Sequence, residues 1–329
     1  MRTAICLVLL ALASPALAAE LTLPRDGWSS WEVAAVDGAP AWCCWNGNGD
    51  ERKGSWSSCK LDGNSGGFGN RDEETTDTVK IYARTTGGKV DRLRTLSASC
   101  PVQAATGIRD LGTVATDDSA RWLIDLAKRQ DADSAKRHRI GEDILAALAV
   151  HRGNLARDAL AGMARNDPRK ETRKEAVFWL AQVRGNEGAE ITSSIMFNDK
   201  DPDVREHAAF ALGQSNSPRV ASDLIKLGNT DKSGDVRAQA WFWLAQSGAP
   251  EAENAIIAAL KKDSDDDVRE QAVFALSQLP DDRSAKALIA MAEDRSLPHE
   301  QRKRAVFWLG QSESDAAQAY LERVLTAEH

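Results

Sequence analysis

Histidine is scarce in this chain. Five occur among 329 residues, at 138, 151, 207, 299 and 329. Residues 1–137 therefore cannot supply a Ser–His or Cys–His nucleophile pair by themselves. Gly63-Asn64-Ser65-Gly66-Gly67 has the outline of a serine-protease stretch, but without a histidine nearby it reads as a loop. An excess of positive charge is also missing. Lys and Arg number 42 against 49 Asp and Glu, a net charge of -7. Nucleic acid is not expected as a partner, because phosphate contacts need a basic field. No apolar run is long enough for a bilayer span of ~20 residues, so no membrane span is expected. Spaced C-x-x-C pairs are absent, which argues against a thiolate zinc site. Neither a metal nor a cofactor is expected, and no catalytic constellation is found.

What is present begins at the N-terminus. Arg2 precedes an apolar stretch, Ala4–Ala13; Ser14-Pro15 breaks it, and Ala16-Leu17-Ala18 follows. A basic start, a short apolar core and a small-x-small end read as a secretory signal peptide over residues 1–18. The expected location is periplasmic or secreted. Beyond Cys6, four cysteines remain, Cys43, Cys44, Cys59 and Cys100. An even number in an exported chain implies two disulfides, with three possible pairings. A bond between the neighbours Cys43 and Cys44 is strained, and on a strand their side chains diverge. Cys44 with Cys59 and Cys43 with Cys100 is the favoured arrangement, although sequence alone does not fix it.

Two textures divide the chain. Residues 19–116 show period-two alternation broken by turn residues, which predicts a small, sandwich-like all-β domain stapled by the disulfides. Strands are expected at Trp31–Val36 and Ala41–Trp45, joined by a hairpin turn at Asp37-Gly38. Two more are expected at Thr78–Ala83 and Lys89–Leu96, around Gly87-Gly88. Asn46–Gly69 reads as a long loop. Asn46, Asn48 and Asp50 have the spacing that opens a calcium loop, but Glu51 and Ser57 stand where Gly and Glu are needed. Asp62, Asp72, Glu73 and Glu74 are the remaining acidic group there.

Residues 117–329 turn to Ala-rich amphipathic helices that repeat. Arg205-Glu206-His207-Ala208-Ala209-Phe210-Ala211-Leu212-Gly213-Gln214 is echoed by Arg237-Ala238-Gln239-Ala240-Trp241-Phe242-Trp243-Leu244-Ala245-Gln246. The closing Gln recurs at 182, 214, 246, 278 and 311, a period of about 32 residues, on the scale of helical solenoids. About six units and a C-terminal capping helix, Asp315–Thr326, are expected. Asp-containing turns such as Asp201-Pro202-Asp203 and Asp265-Asp266-Asp267 precede most second helices, and their Asp is placed to cap the helix. Asp203-Val204-Arg205, Asp235-Val236-Arg237 and Asp267-Val268-Arg269 resemble the PBS-lyase type of HEAT repeat. The layout is similar to exported bacterial HEAT-repeat proteins with a Cys-containing β domain in front, here marked by Trp42-Cys43-Cys44-Trp45 and Cys100-Pro101. Of the HEAT-repeat enzymes, deoxyhypusine hydroxylase needs several His-Glu pairs, and this chain has only His299-Glu300. Phycobilin lyase activity does not suit an exported protein.

A helical wheel puts Val204, Ala208, Ala209 and Leu212 in the core, with Phe210 and Gln214 opposite. Phe178, Phe210, Phe242, Phe274 and Phe307 should line one face, with Gln182, Gln214, Gln246, Gln278 and Gln311 beside them. In this repeat class that face is concave. Trp179, Trp243 and Trp308 lie at its edge, and Trp241 is expected to add a ring. Rings give contact area and amides give hydrogen bonds to backbone, which suits a protein or peptide partner in the cell envelope. The plainer alternative is that the rings only fill gaps between units. Arg205, Arg237 and Arg269 should pair with Asp of adjacent units as a structural ladder. The expected function is a non-enzymatic scaffold or adaptor binding along the concave groove. The alternatives are an envelope enzyme or enzyme subunit with a ligand or metal site in the β domain, and a sensor partner in envelope stress signalling.

Overall fold

The computed structural model describes residues 21–44, 58–63, 68–69, 75–129 and 135–327. The leader segment, the calcium-like stretch at 46–57 and the acidic residues at 72–74 lie outside them. Among the described residues eight strands precede thirteen helices, so the fold is α+β, with a small disulfide-stapled strand region leading into a helical array.

Strands β1 (Gly27–Ala34), β5 (Thr78–Thr86), β6 (Lys89–Ser97) and β8 (Ile108–Thr113) form one sheet in the order β6-β5-β1-β8. β5 and β6 join through Gly87 and Gly88 at φ 59 and 79, a turn that glycine enters without steric cost. β2 (Cys43–Cys44) pairs with β4 (Phe68–Gly69), and β3 (Cys59–Lys60) with β7 (Val102–Gln103). The hairpin expected at Asp37-Gly38 is not formed. The chain does turn there, but β1 pairs with β5 and, in parallel, with β8. Residues 41–44 run to the disulfide cluster instead, tied to β6 through Ser97. Cys43 is bonded to Cys100 and Cys44 to Cys59, with Cα–Cα separations of 5.6 and 5.2 Å.

Alternation gives the sheet two faces. Trp28, Tyr82 and Leu96 point toward the disulfides and Leu61. Trp31, Val33, Val79, Ile81 and Leu93 point the other way, where the covering layer is helical: Ala120, Leu123, Ile144 and Leu148. These come from α1 (Thr116–Arg129) and α2 (Ala135–Val150). The layer on this face is thus made by helices; among the described residues the remaining strands are two residues long, too short to form an opposing sheet.

The other helices form pairs: α3 (Asn154–Asn166) with α4 (Lys170–Val183), α5 (Gly185–Asn198) with α6 (Pro202–Gly213), α7 (Val220–Thr230) with α8 (Gly234–Gln246), α9 (Ala252–Lys262) with α10 (Asp266–Ser277), and α11 (Asp281–Glu293) with α12 (His299–Leu309). With α1/α2 these make six pairs, followed by α13 (Asp315–Ala327). Asp201 and Asp265 cap α6 and α10, each accepting the amide of the residue two positions on. The second helices α4, α6, α8 and α10 pack closely in file, whereas the first helices α3, α5, α7 and α9 touch at few points. The array therefore curves toward the second helices, which line its concave side.

The expected Arg–Asp ladder runs through this stack. Arg173 forks onto Asp199, Arg205 onto Asp231 and Arg237 onto Asp263, at 2.7–3.2 Å. Each Arg also donates to a backbone carbonyl at the foot of its own unit, that of Asp167, Asp199 or Asp231. Arg269 departs from the pattern: residue 295 is Arg where the register calls for Asp, and Arg269 pairs with Asp266 instead.

Candidate functional site

On α6 the buried residues are Val204, Arg205, Ala208, Ala209, Ala211 and Leu212. The opposite stripe carries Asp203, Glu206, His207, Phe210 and Gln214. This is the concave face, and the same register holds on α4, α8, α10 and α12. Phe178, Phe210, Phe242 and Phe274 are half-buried, and Phe307 is 58% exposed.

The rings touch in an unbroken file. Phe178 stacks on Phe210 with centroids 6.0 Å apart and planes 12° from parallel, and Phe242 stacks on Phe274 at 5.7 Å and 9°. Trp243 bridges the two stacks, 4.9 Å from Phe210 and 4.8 Å edge-on to Phe242. Trp308 continues from Phe274, at 5.0 Å, to Phe307, at 5.2 Å. At the other end Trp179 carries the file to Trp42 of the strand region, 5.2 Å away. The rings thus run from the disulfide cluster to the last helix pair. Edge-to-face and offset contacts of this kind contribute about 0.5–1.5 kcal/mol each beyond area burial.

The alternation Trp179, Ala211, Trp243, Ala275, Trp308 has a packing reason. Ala211 and Ala275 are fully buried. Gly213 makes room for Trp243: a Cβ on Gly213 would lie 2.9 Å from that of Trp243. Trp241 does not join the concave file. It is fully buried on the opposite side of α8, against Gly228 of α7. The wheel failed there because α8 is apolar nearly all round, so its sequence does not say which ring faces inward.

The amides lie beside the rings and differ among themselves. Gln182 donates to the Ala211 carbonyl at 3.0 Å, Gln246 to the Gln278 side chain at 3.3 Å, and Gln278 to Ser277 at 3.1 Å. Gln214 and Gln311 are exposed.

Two features carried no sequence signal. A cavity of about 150 Å³ lies at the junction, lined by Trp42, Thr95, Glu142, Asp143, Ala146, Glu175 and Trp179. A larger one, about 1010 Å³, opens among α1–α4 and reaches His207 on α6. Its lining is mainly apolar, with Ile144, Leu145 and Met163, and carries Lys128, Arg169 and Lys174 alongside Glu142, Glu171 and Glu175. Burial and the nearby Lys174 hold the His207 imidazole below its ordinary pKa. Its Nε2 has no hydrogen-bond partner among the described residues.

A buried polar file joins the sheet to the helices. Trp31 Nε1 donates to Ser119 Oγ at 2.7 Å, and Ser119 lies 2.8 Å from His151 Nε2. His151 Nδ1 is 2.6 Å from the Ala147 carbonyl. The carbonyl can only accept, so Nδ1 carries the proton; the Ser119 hydroxyl then donates to Nε2. Both residues are fully buried, and the file ties β1 of the sheet to α1 and to the end of α2. In the strand region, Asp62 accepts from Trp28 Nε1, Arg84 and the Ala105 amide. The Ala105 bond is the main reason its carboxyl stays below the ordinary range. Among the described residues no cluster of His, Cys, Asp and Glu is arranged to hold a metal ion.

Residues 157–240 and 223–299 match the family model for HEAT repeats. The paired helices and the 32-residue register agree with that match, so residues 157–299 carry HEAT-like repeats. Among solved structures, human deoxyhypusine hydroxylase in complex with glycerol is 15% identical, over 63% of this chain and 90% of that one, with a TM-score of 0.29. YibA of Escherichia coli is 22% identical over 64% and 80%, with a TM-score of 0.37. A protein from the computational design of self-assembling cyclic homo-oligomers is 15% identical over 64% and 76%, at 0.15. No curated protein matches the sequence.

Proposed function

We propose that this protein is an exported, non-enzymatic adaptor whose solenoid, built from PBS-lyase-type units, holds an extended protein or peptide segment along its concave aromatic face. The observation that carries the reading is the continuous file of half-exposed rings flanked by amides. Ring contacts between units explain why aromatic residues stand there. They do not require Gln214 and Gln311 beside them, and they leave part of each ring uncovered. Aromatic area with adjacent amides suits backbone recognition without a demanding sequence. The periplasm or the cell exterior is the proposed location, supported by two disulfides that persist in oxidising compartments and by the leader-like residues 1–18.

The test is binding to an immobilised peptide library. Two variants are compared with the unaltered chain: Gln214→Ala with Gln246→Ala, and Phe210→Ser with Phe242→Ser and Phe274→Ser. Circular dichroism confirms the fold of each. The amide variant should keep its melting temperature and bind at least several-fold more weakly. The ring variant should lose binding. A library bound equally well by all three chains, or by none, would remove the groove as the site.

A further inference from the structure

We infer that the larger cavity, among α1–α4, binds an uncharged single-chain lipid with a hydroxyl head, held mainly by its alkyl chain. At about 1010 Å³, the cavity lies at the upper end of the ~300–1,000 Å³ that ligand pockets span. A cavity of ~150 Å³ takes one benzene-sized ring, so no single side chain of a bound peptide fills this one. Three helices supply apolar walls: Ile124 from α1, Ile144 and Leu145 from α2, and Met163 from α3. Two glycines line the same space, Gly141 inside α2 and Gly162 inside α3. Glycine weakens a helix interior relative to alanine. Other helical glycines answer to a close neighbour: a Cβ on Gly188 would meet the Leu180 carbonyl, and one on Gly228 the Trp241 ring. A Cβ on Gly141 or Gly162 would meet nothing within 4 Å. Packing does not ask for these two glycines. What their missing side chains preserve is the width of the cavity.

Charge selects the class of ligand. The cations that line the cavity are each paired within the chain: Lys128 with Asp125, Arg169 with Asp167 and Lys174 with Glu171. None of the three is left over for a carboxylate or phosphate head. An uncharged head also avoids the desolvation that a charge of either sign would meet against the apolar walls. At the α6 end stands His207, whose buried Nε2 has no partner among the described residues. Burial, and then Lys174, lower its pKa, so the imidazole is neutral at neutral pH. A neutral imidazole can donate to a hydroxyl or accept from one, which is the group the ligand's head supplies. Binding here does not depend on a peptide occupying the concave face.

The test titrates the disulfide-intact chain with the uncharged fluorophore N-phenyl-1-naphthylamine. The fluorophore is then displaced with 1-decanol, decanoate or decyltrimethylammonium, each below its micelle concentration. It should brighten on binding and be displaced by decanol, with both charged chains weaker competitors by about tenfold or more. Gly162→Leu fills the space and favours the helix. It should weaken fluorophore binding about tenfold or more, with the melting temperature unchanged or raised. Gly141→Leu should act in the same way, so the outcome does not rest on one variant. Gly162→Ala, which adds only a Cβ, should bind as the unaltered chain does, and so should the chain with Phe210→Ser, Phe242→Ser and Phe274→Ser. No brightening, equal displacement by a charged chain, or binding untouched by both Leu variants would overturn the inference. Binding lost only in the ring variant would place the fluorophore on the concave face and overturn it as well.

Discussion

Gly228 on α7 lies against the indole of Trp241 on α8, so closely that a Cβ there would sit 2.5 Å from ring atoms Cε2 and Cζ2. In an ordinary helix interior, Gly→Ala gains about 1 kcal/mol of propensity. Here the added methyl meets a fully buried ring that cannot swing aside. Gly228→Ala is expected to destabilise by about 1–3 kcal/mol, measured by urea denaturation. Trp241→Phe in the same chain should recover part of that loss. A stabilised Gly228→Ala would show that the ring has room to move.

The Arg–Asp ladder should be far more sensitive than surface pairs of the same chemistry. Arg205 and Asp231 are 3% and 6% exposed at their side chains, and the fork is bidentate. Burial by itself would raise the Asp231 carboxyl, but the bonds from Arg205 and the Ser233 amide outweigh it and hold it below its ordinary value. Asp231→Asn leaves a buried guanidinium uncompensated and is expected to cost about 3–5 kcal/mol. Asp37→Asn, which breaks the exposed pair with Arg152, should cost about 1 kcal/mol or less. Equal effects of the two changes on the urea midpoint would contradict the ladder's role.

His151 makes stability depend on pH in mildly acidic solution. Burial is the main cause that lowers its pKa from 6.5 to about 4. The unfolded chain takes up a proton below about 6.5, which the folded chain refuses until about 4. Stability is therefore fully present above about pH 6.5 and falls as the pH drops toward about 4, by roughly 3 kcal/mol in all. Between about pH 7.5 and about pH 5 the expected loss from this residue is about 2 kcal/mol. His151→Gln, which keeps an acceptor for Ser119, should flatten that part of the profile. Parallel profiles for both chains would assign the dependence to other groups.

The two disulfides should differ in weight. Cys43–Cys100 spans 57 residues and Cys44–Cys59 spans 15. Chain-entropy arguments give about 4 kcal/mol for the longer loop and about 3 for the shorter. Replacing Cys43 and Cys100 with Ala should lower the melting temperature of the strand region more than replacing Cys44 and Cys59. The reverse order would mean that native packing around Cys44 matters more than loop length.

The solenoid was legible because its signals are local. Amphipathic period, the Asp caps and the 32-residue recurrence of Gln each depend on neighbours in sequence, and each copy repeats the same instruction. The Phe and Gln stripe followed from the same geometry, so the positions of Phe178, Phe210, Phe242 and Phe274 on one face needed no tertiary information. The Arg–Asp ladder was visible for Arg205 and Arg237, whose partners recur in register, but not for Arg269, where Arg295 stands in the place of the partner Asp.

What sequence could not supply was pairing between distant segments. β8 was missed because Ile108–Thr113 has a weak alternation and finds its place only beside β1. Residues 41–44 looked like the return strand of a hairpin, but Cys100 and Ser97 hold them elsewhere. Trp241 shows the same limit within one helix. It stands next to Phe242 and Trp243 in a run of three apolar rings, and only the space left by Gly228 on the neighbouring helix decides which of them turns into the core.

By itself the sequence determined the helical repeat, the cysteine set and the ring-bearing stripe, since these follow from backbone periodicity and side-chain chemistry along a short stretch. Only the tertiary structure decided that the rings join into one file, that helices cover the sheet, and that a cavity stays open among α1–α4. Those outcomes depend on which surfaces meet across tens or hundreds of residues, and burial there is a property of the neighbour as much as of the residue.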